Sequence, residues 1–259
     1  GTLARSVLAA EPRCADALRA VLVEVAEVQW TTHPAGVTSR ADLPAPGSLG
    51  DGPVVVLANE LLDNLPFGLV ELTAQGWCEV RVGTAADAGR PGGVRFVEVL
   101  VPLDPVHAAW CRGKAGRGAA VGTRLPVQAD AAAWLEDALA LAPGGRVVVI
   151  DYASTSSQMA TRPWTEWVRT YADHGRAGHP LDAPGSADIT VEVARDQLAT
   201  VDRPADDRSQ AEFLAAHGLA DLVEEGRRRW ADAGASGGLD ALAGRSRVHE
   251  AEALTDPGG

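Results

Sequence analysis

The sequence predicts an α/β fold on a parallel sheet, and three observations carry that prediction. The apolar runs Val54–Leu57 and Val147–Ile150 lack the alternation of a half-exposed strand, as strands covered on both faces do. Each run stops abruptly at polar, acidic residues, Asn59-Glu60 and Asp151-Tyr152. Ahead of the first run the segments read helix, strand, helix, strand, which is the alternation of βαβ units.

Taken in order, Leu3, Val7 and Leu8, then Ala17 and Leu18 after Pro12, carry the apolar positions of a first helix starting at Gly1-Thr2. Arg19 to Val25 is rich in strand formers, with Glu24 and then Glu27 at its end. A helical stretch through Gln29 and a loop from Pro44 to Pro53 lead into the Val54 strand. Past Pro66, the segments Leu69–Thr73, Trp77–Val82 and Val94–Val101 predict a β meander over residues 67–101, with a turn at Gln75-Gly76 and a longer loop over Gly83–Gly93. Ala129–Leu141 has helical periodicity, Pro143-Gly144-Gly145 ends it, and Arg146–Tyr152 repeats the layout of the Val54 strand. Residues 153–207, rich in Ser, Thr, Pro, Gly and Asp, read as a long polar insertion, partly irregular. Helices are expected at Ser209–His217 with Gly218 past its end, at Leu219–Asp232 and at Leu239–Arg245, and a final strand at Val248–Leu254. Residues 1–259 are read as a single domain.

At 259 residues and 46% hydrophobic content, the chain can bury a sizeable core and is not of the disordered class. No apolar run is long enough to span a bilayer and no secretory signal is visible, so the expectation is a cytoplasmic protein without a membrane partner. A net charge of −12 argues against nucleic acid as a partner, because phosphate binding needs a basic surface, whereas a basic protein substrate suits it. Glu224 and Glu225 are spaced to pair with Arg227-Arg228-Arg229 on a helix. Cys14, Cys78 and Cys111 form no C-x-x-C pair and the histidines no i, i+4 pair, so neither a disulfide framework nor a metal site is expected. Arg far exceeds Lys, of which Lys114 is the sole copy, and Ala and Gly abound; this composition hints at a GC-rich bacterial source. Oligomeric state is left open.

Ligands of parallel sheets bind just beyond the carboxyl ends of the strands. Asn59, Glu60, Asp63 and Asp151 therefore become candidates for one site, with the alternative that Asn59 caps a short helix and the acids are merely solvated. Glu24, at the end of an early strand, is placed as the acid that accepts ribose hydroxyls in nucleotide-binding sheets, and Gly1 stands at about the spacing of the glycine turn such an acid accompanies. Gly234-Ala235-Ser236-Gly237-Gly238 matches the nucleophile-elbow pattern but follows a charged helix rather than a buried strand, so it is rejected. His174 and His179 lie in the polar insertion, as substrate-side groups or as ordinary loop residues.

Several blocks, in order, resemble the MidA-like S-adenosylmethionine-dependent methyltransferases, a family that includes a mitochondrial complex I assembly factor. Ala58-Asn59-Glu60-Leu61-Leu62-Asp63-Asn64-Leu65-Pro66 resembles its A-N-E-x-x-D-x-x-P signature, Leu22-Val23-Glu24 its L-V-E segment, and Ile150-Asp151-Tyr152 its I-D-Y-G strand end. Pro180–Thr190 is similar to its D-P-L-x-x-P-G-x-x-D-I-T loop, and Gln210–Gly218 to its Q-x-x-F-L-x-x-x-G helix. Ala153 stands where the family has glycine, and Glu166-Trp167-Val168-Arg169 where it has G-T-L-R. The family's glycine-rich cofactor loop and preceding strand fall upstream of Gly1, so the expectation is a class I methyltransferase Rossmann-like fragment, truncated at its N-terminus and short at its C-terminus.

The resemblance implies S-adenosylmethionine as cofactor and methyl transfer to an arginine nitrogen of a partner protein resembling a respiratory complex I subunit. It implies Glu60, Asp63 and Asp151 as catalytic carboxylates, Gly1, Glu24 and Asn59 at the cofactor, and His174 and Asp188 at the substrate. Two other readings share the fold: a non-catalytic assembly factor that binds a partner through the insertion, and an NAD(P)-dependent oxidoreductase.

Overall fold

The computed structural model describes residues 2–10, 12–89, 91–172, 175–233, 245, 246, 248–251 and 254. They divide into two compact units, residues 1–202 and 203–259.

In the first unit, helix α1 (Thr2–Ala9) precedes strands β1 (Val21–Val23) and β2 (Thr38–Arg40), which pair in parallel. Strand β3 (Val55–Asn59) follows, and then β4 (Gly68–Thr73), β5 (Gly76–Ala86) and β6 (Val94–Pro102) run as an antiparallel meander. Strand β5 extends through the glycine where a loop was expected. A Cβ on Gly83 would meet the Val99 side chain at 2.7 Å, so this glycine marks close cross-strand packing rather than a turn. Helix α2 (Pro105–Ala115) starts at an Asp104 cap whose carboxylate accepts the Val106 and His107 N–H groups, and it lays Cys111 and Ala115 on Val70, Trp77 and Leu125 of the sheet. Leu125 belongs to β7 (Arg124–Val127), which completes the strand order β6-β5-β4-β7.

Helix α3 (Ala129–Leu141) then delivers β8 (Arg146–Ile150), which pairs in parallel with β3 from Val55 opposite Arg146 to Asn59 opposite Ile150. The glycine turn between α3 and β8 is sterically required. Gly144 has φ +70°, and a Cβ on Gly145 would lie 2.1 Å from the Val54 carbonyl oxygen.

Residues 153–202 carry more regular structure than their composition suggests. Strand β9 (Ala153–Ser154), helices α4 (Ser156–Met159) and α5 (Trp164–Trp167), strands β10 (Val168–Ala172), β11 (Gly175–Arg176), β12 (Asp188–Val191) and β13 (Val193–Ala194), and helix α6 (Arg195–Leu198) follow in order. Each is too short for sequence periodicity to register. What orders them is a core of Met159, Trp167, Val168, Val191 and Ala194, together with buried amides. Gln128 donates to the Glu192 carbonyl and accepts the Ala194 N–H, while Gln197 donates to the Pro126 carbonyl and to Ser156 Oγ. With these partners, the polar groups carry no desolvation penalty large enough to exclude them from the interior.

In the second unit, α7 (Gln210–Ala216) begins at a reciprocal Ser209–Glu212 capping box, and α8 (Leu219–Ala233) bears the expected Glu224–Arg227 and Glu225–Arg229 pairs. Gly218, between them, has φ +90°. The strand expected at Val248–Leu254 is not found: residues 248–251 and 254 are helical. Val248 and Ala251, both buried, are three residues apart, a helical spacing rather than an alternating one. Among the described residues no helix is long and apolar enough to cross a membrane.

Candidate active site

Strands β3 and β8 end side by side, and their ends bring Asn59, Glu60 and Asp151 to one edge. The crossover is tied off by the Glu60 N–H, which donates to the Ile150 carbonyl at 2.8 Å. Glu60 itself has φ +48°, the only left-handed non-glycine among the described residues. That conformation costs a residue with a Cβ about 1 kcal/mol. It turns the chain out of the strand and leaves the Glu60 carboxylate exposed.

Asp151 organises the turn that follows β3. Its Oδ2 accepts the N–H groups of Leu62 and Asp63 at 3.0 and 3.3 Å, and its Oδ1 accepts the Tyr152 N–H at 2.9 Å. Asp63, 6% exposed, receives Asn64 Nδ2 at 2.7 Å. Burial, and then the Asp63 charge, push the Asp151 carboxyl up to about 6 against the opposing effect of the three amides. Burial, followed by the charge of Glu60, also raises Asp63. Asp63 is thus repelled by Glu60 and in turn repels Asp151, a chain of like charges that a cationic ligand relieves.

A pH dependence follows from the raised Asp151. Its folded-state value lies above the ordinary 3.8, so between about pH 4 and pH 6 the native state binds more protons than the unfolded chain, and stability contributed by this group falls as pH rises through that window. Solvent reaches part of the carboxyl, which holds the effect to about 1–2 kcal/mol. Denaturant unfolding at pH 5 and pH 7 is expected to show Asp151→Asn losing that difference.

The other sequence candidates stand on other elements or outside the described residues. Glu24 directly follows β1, which pairs with β2 apart from the β3–β8 pair; its Oε1 accepts the Ala26 N–H at 2.8 Å and its carbonyl accepts Trp30 Nε1–H. Strand hydrogen bonding by itself does not connect Glu24 to the Glu60 edge. Asp188 opens β12, opposite Tyr171 of β10, and β12 packs against the Leu62–Asn64 turn. Gly1, His174 and residues 234–238 lie outside the described residues. His179 is turned to another cluster, 3.5 Å from Glu98, which also pairs with Arg124. Sequence reasoning missed Tyr152, whose exposed side chain feels the Glu60 charge more strongly than any other influence; its position directly after Asp151 was the available signal.

Residues 1–213 match the model of a family described as "Putative S-adenosyl-L-methionine-dependent methyltransferase". The chain belongs to this family. Two solved structures from Burkholderia thailandensis are similar to this methyltransferase-family chain. One is an uncharacterised superfamily protein, 25% identical with a TM-score of 0.67, the match covering 89% of this chain and 61% of that one. The other, of the same superfamily and bound to S-adenosyl-homocysteine, is 27% identical with a TM-score of 0.62, the match covering 83% of this chain and 52% of that one. The present family member thus spans about half to three fifths of the length of these relatives. No curated protein matches it. Among its described residues no cluster of three or more His, Cys, Asp or Glu side chains is placed to hold a metal ion.

Proposed function

We propose that the chain forms part of an S-adenosylmethionine-dependent methyltransferase that modifies an arginine nitrogen of a partner protein in the bacterial cytoplasm, a subunit of the respiratory complex I type being the target the family resemblance suggests. The observation that carries the reading is the joined end of β3 and β8, which gathers an exposed Glu60 with Asp63 and Asp151.

The donor set suits this cofactor. A sulfonium and an ammonium are both cations, and the edge is acidic with at least one carboxyl held above its ordinary range. Asn59 and Asp151 would face the methionine end; Glu24 is the candidate for the ribose. When bound, the cofactor supplies an electrophilic methyl group, so the protein's own task is alignment and charge stabilisation. Glu60 performs it by pairing two oxygens with a guanidinium, fixing its plane and concentrating electron density on the attacking nitrogen. Asp63 and Asp151 fix the turn that presents Glu60, and one of them takes the proton released when the methylated nitrogen returns to its working charge. Asp188 and His174 are the substrate-side candidates from the insertion.

Calorimetric titration with S-adenosylhomocysteine, with NADP as control, tests the cofactor assignment, and transfer of labelled methyl groups to an arginyl peptide tests the acceptor. Binding of NADP alone would discard the reading in favour of an oxidoreductase. Cofactor binding without transfer to any protein acceptor would favour a non-catalytic assembly factor.

A further inference from the structure

A cavity of about 450 Å³ lies between the β5–β6 hairpin and the loop from Ala177 to Ala187, a volume in the range of ligand sites. Val82 and Phe96 line it from the hairpin, Leu181 and Pro184 from the loop, and Thr170 and Ile189, which pair across β10 and β12, from the insertion. In the hairpin Val80 stands opposite Leu100, Val82 opposite Glu98 and Thr84 opposite Phe96, so these side chains share one face. Val82, Phe96 and Leu100 are exposed there, as is Ile189 across the cavity. Such an apolar strip left open to solvent marks a surface that takes a partner. The loop is already folded to receive one. The His179 N–H donates to Asp182 Oδ2, the Asp182 N–H to the His179 carbonyl and the Ser186 N–H to the Ala183 carbonyl. With these groups satisfied inside the loop, Leu181 and Pro184 are left to the cavity.

The charge beside the cavity indicates the chemistry of the occupant. Glu98 shares the hairpin face with Val82 and Phe96, and Arg124 lies between Glu98 and Glu71, so two carboxylates meet one guanidinium. His179, which lines the cavity 3.5 Å from Glu98 and edge-on to Trp164, adds no positive charge. Its Nδ1 accepts the Leu181 N–H, which leaves the ring proton on Nε2 and the imidazole neutral. An apolar strip bordered by excess negative charge suits a segment that carries an apolar side chain next to a basic one. Strand β12 supplies the link to the carboxylates: it lines the cavity through Ile189 and packs against the Leu62–Asn64 turn that holds Asp63. That continuity favours the methyl acceptor over an unrelated protein as the occupant. We propose that the cavity is a docking subsite for the protein acceptor, taking an apolar side chain while a neighbouring basic residue faces Glu98. The proposal rests on the methyltransferase reading and adds to it the sequence context in which an acceptor residue is chosen.

Phe96 is one of three phenylalanines, with Phe67 and Phe213. 4-Fluorophenylalanine incorporated throughout the chain therefore gives three fluorine resonances, and Phe96→Leu identifies the one at the cavity. Acetyl-Arg-Leu-Arg-amide, its counterpart with glycine in place of leucine, and its counterpart with citrulline in place of both arginines are titrated into the full chain, with and without S-adenosylhomocysteine. The leucine peptide is expected to shift the Phe96 resonance and to bind roughly 10- to 100-fold more tightly than the glycine peptide. Ile189→Ala is expected to weaken it roughly 3- to 10-fold with melting temperature unchanged, and the citrulline peptide to bind several-fold more weakly by a margin that shrinks with added salt. Equal affinity for the leucine and glycine peptides, indifference to Ile189→Ala, or a Phe96 resonance that no peptide moves while S-adenosylhomocysteine binds would overturn the proposal and leave the methyltransferase reading standing. Equal affinity for the arginine and citrulline peptides would overturn the choice of a basic occupant. A Phe96 shift in a protein that binds no S-adenosylhomocysteine would remove the acceptor role together with the methyltransferase reading, and the cavity would then serve a partner that is not methylated. If neither the peptides nor S-adenosylhomocysteine bind, both readings fall.

Discussion

Glu60→Ala is expected to lower the rate of methyl transfer by about 100- to 1,000-fold, the range found when one preorganised polar group is removed from the charge-stabilising part of a site. The substitution leaves the backbone tie intact, since the Glu60 N–H rather than its side chain meets the Ile150 carbonyl. Melting temperature and S-adenosylhomocysteine affinity are therefore expected to stay near wild type while turnover collapses. Glu60→Gln separates two contributions: it keeps the shape and hydrogen-bonding reach but loses the charge, so activity close to wild type would assign Glu60 a geometric role only. Methyl transfer to a peptide acceptor, followed alongside thermal unfolding, reads both outcomes from the same samples.

Asp151→Ala is expected to act on the fold first. Three backbone amides, of Leu62, Asp63 and Tyr152, converge on its two oxygens, and an amide left without an acceptor in a part-buried turn costs about 1–3 kcal/mol. Part of this is regained, because solvent can reach the turn and because the repulsion of Asp63 disappears. The net loss is expected to be about 3 kcal/mol, enough to remove a large share of a typical domain's stability. Asp151→Asn keeps one acceptor oxygen, so it should fall between the two, with Leu62 and Asp63 still bonded and Tyr152 released. Urea unfolding of the three proteins orders them, and amide exchange at Leu62, Asp63 and Tyr152 locates the loss.

The difference between the two substitutions reflects what is legible in the sequence. Val54–Leu57 and Val147–Ile150 announce strands by unbroken apolar runs, and the two pair as neighbours, which is why residue order alone places Asn59, Glu60 and Asp151 at one edge; the cover on both faces that such runs suggest is not found, since Val55 and Leu57 are exposed and the second run is only half-buried. The division of labour at that edge is not legible. The carboxylates of Glu60, Asp63 and Asp151 look alike in sequence, yet Glu60 is exposed at a left-handed residue, Asp63 is buried in the Leu62–Asn64 turn, and Asp151, half-buried after β8, accepts that turn's N–H groups. Pairing is a long-range property as well: β1 hydrogen-bonds to β2 rather than to β3 or β8, which the run ending at Glu24 does not announce. The insertion reads as irregular because its buried side chains, Trp167 and Val191 among them, are spaced by turns too short for a periodic signal. Tyr171 owes its position to a register, opposite Asp188, that no local pattern encodes.

The left-handed backbone at Glu60 sets stability and activity against each other at one codon. Glycine adopts this conformation without the Cβ penalty, so Glu60→Gly is the substitution here that relieves strain, and it discards the carboxylate in doing so. A library sorted for heat resistance would enrich glycine at this position and return well-behaved, inactive proteins, whereas a library sorted for turnover would keep glutamate and tolerate its strain.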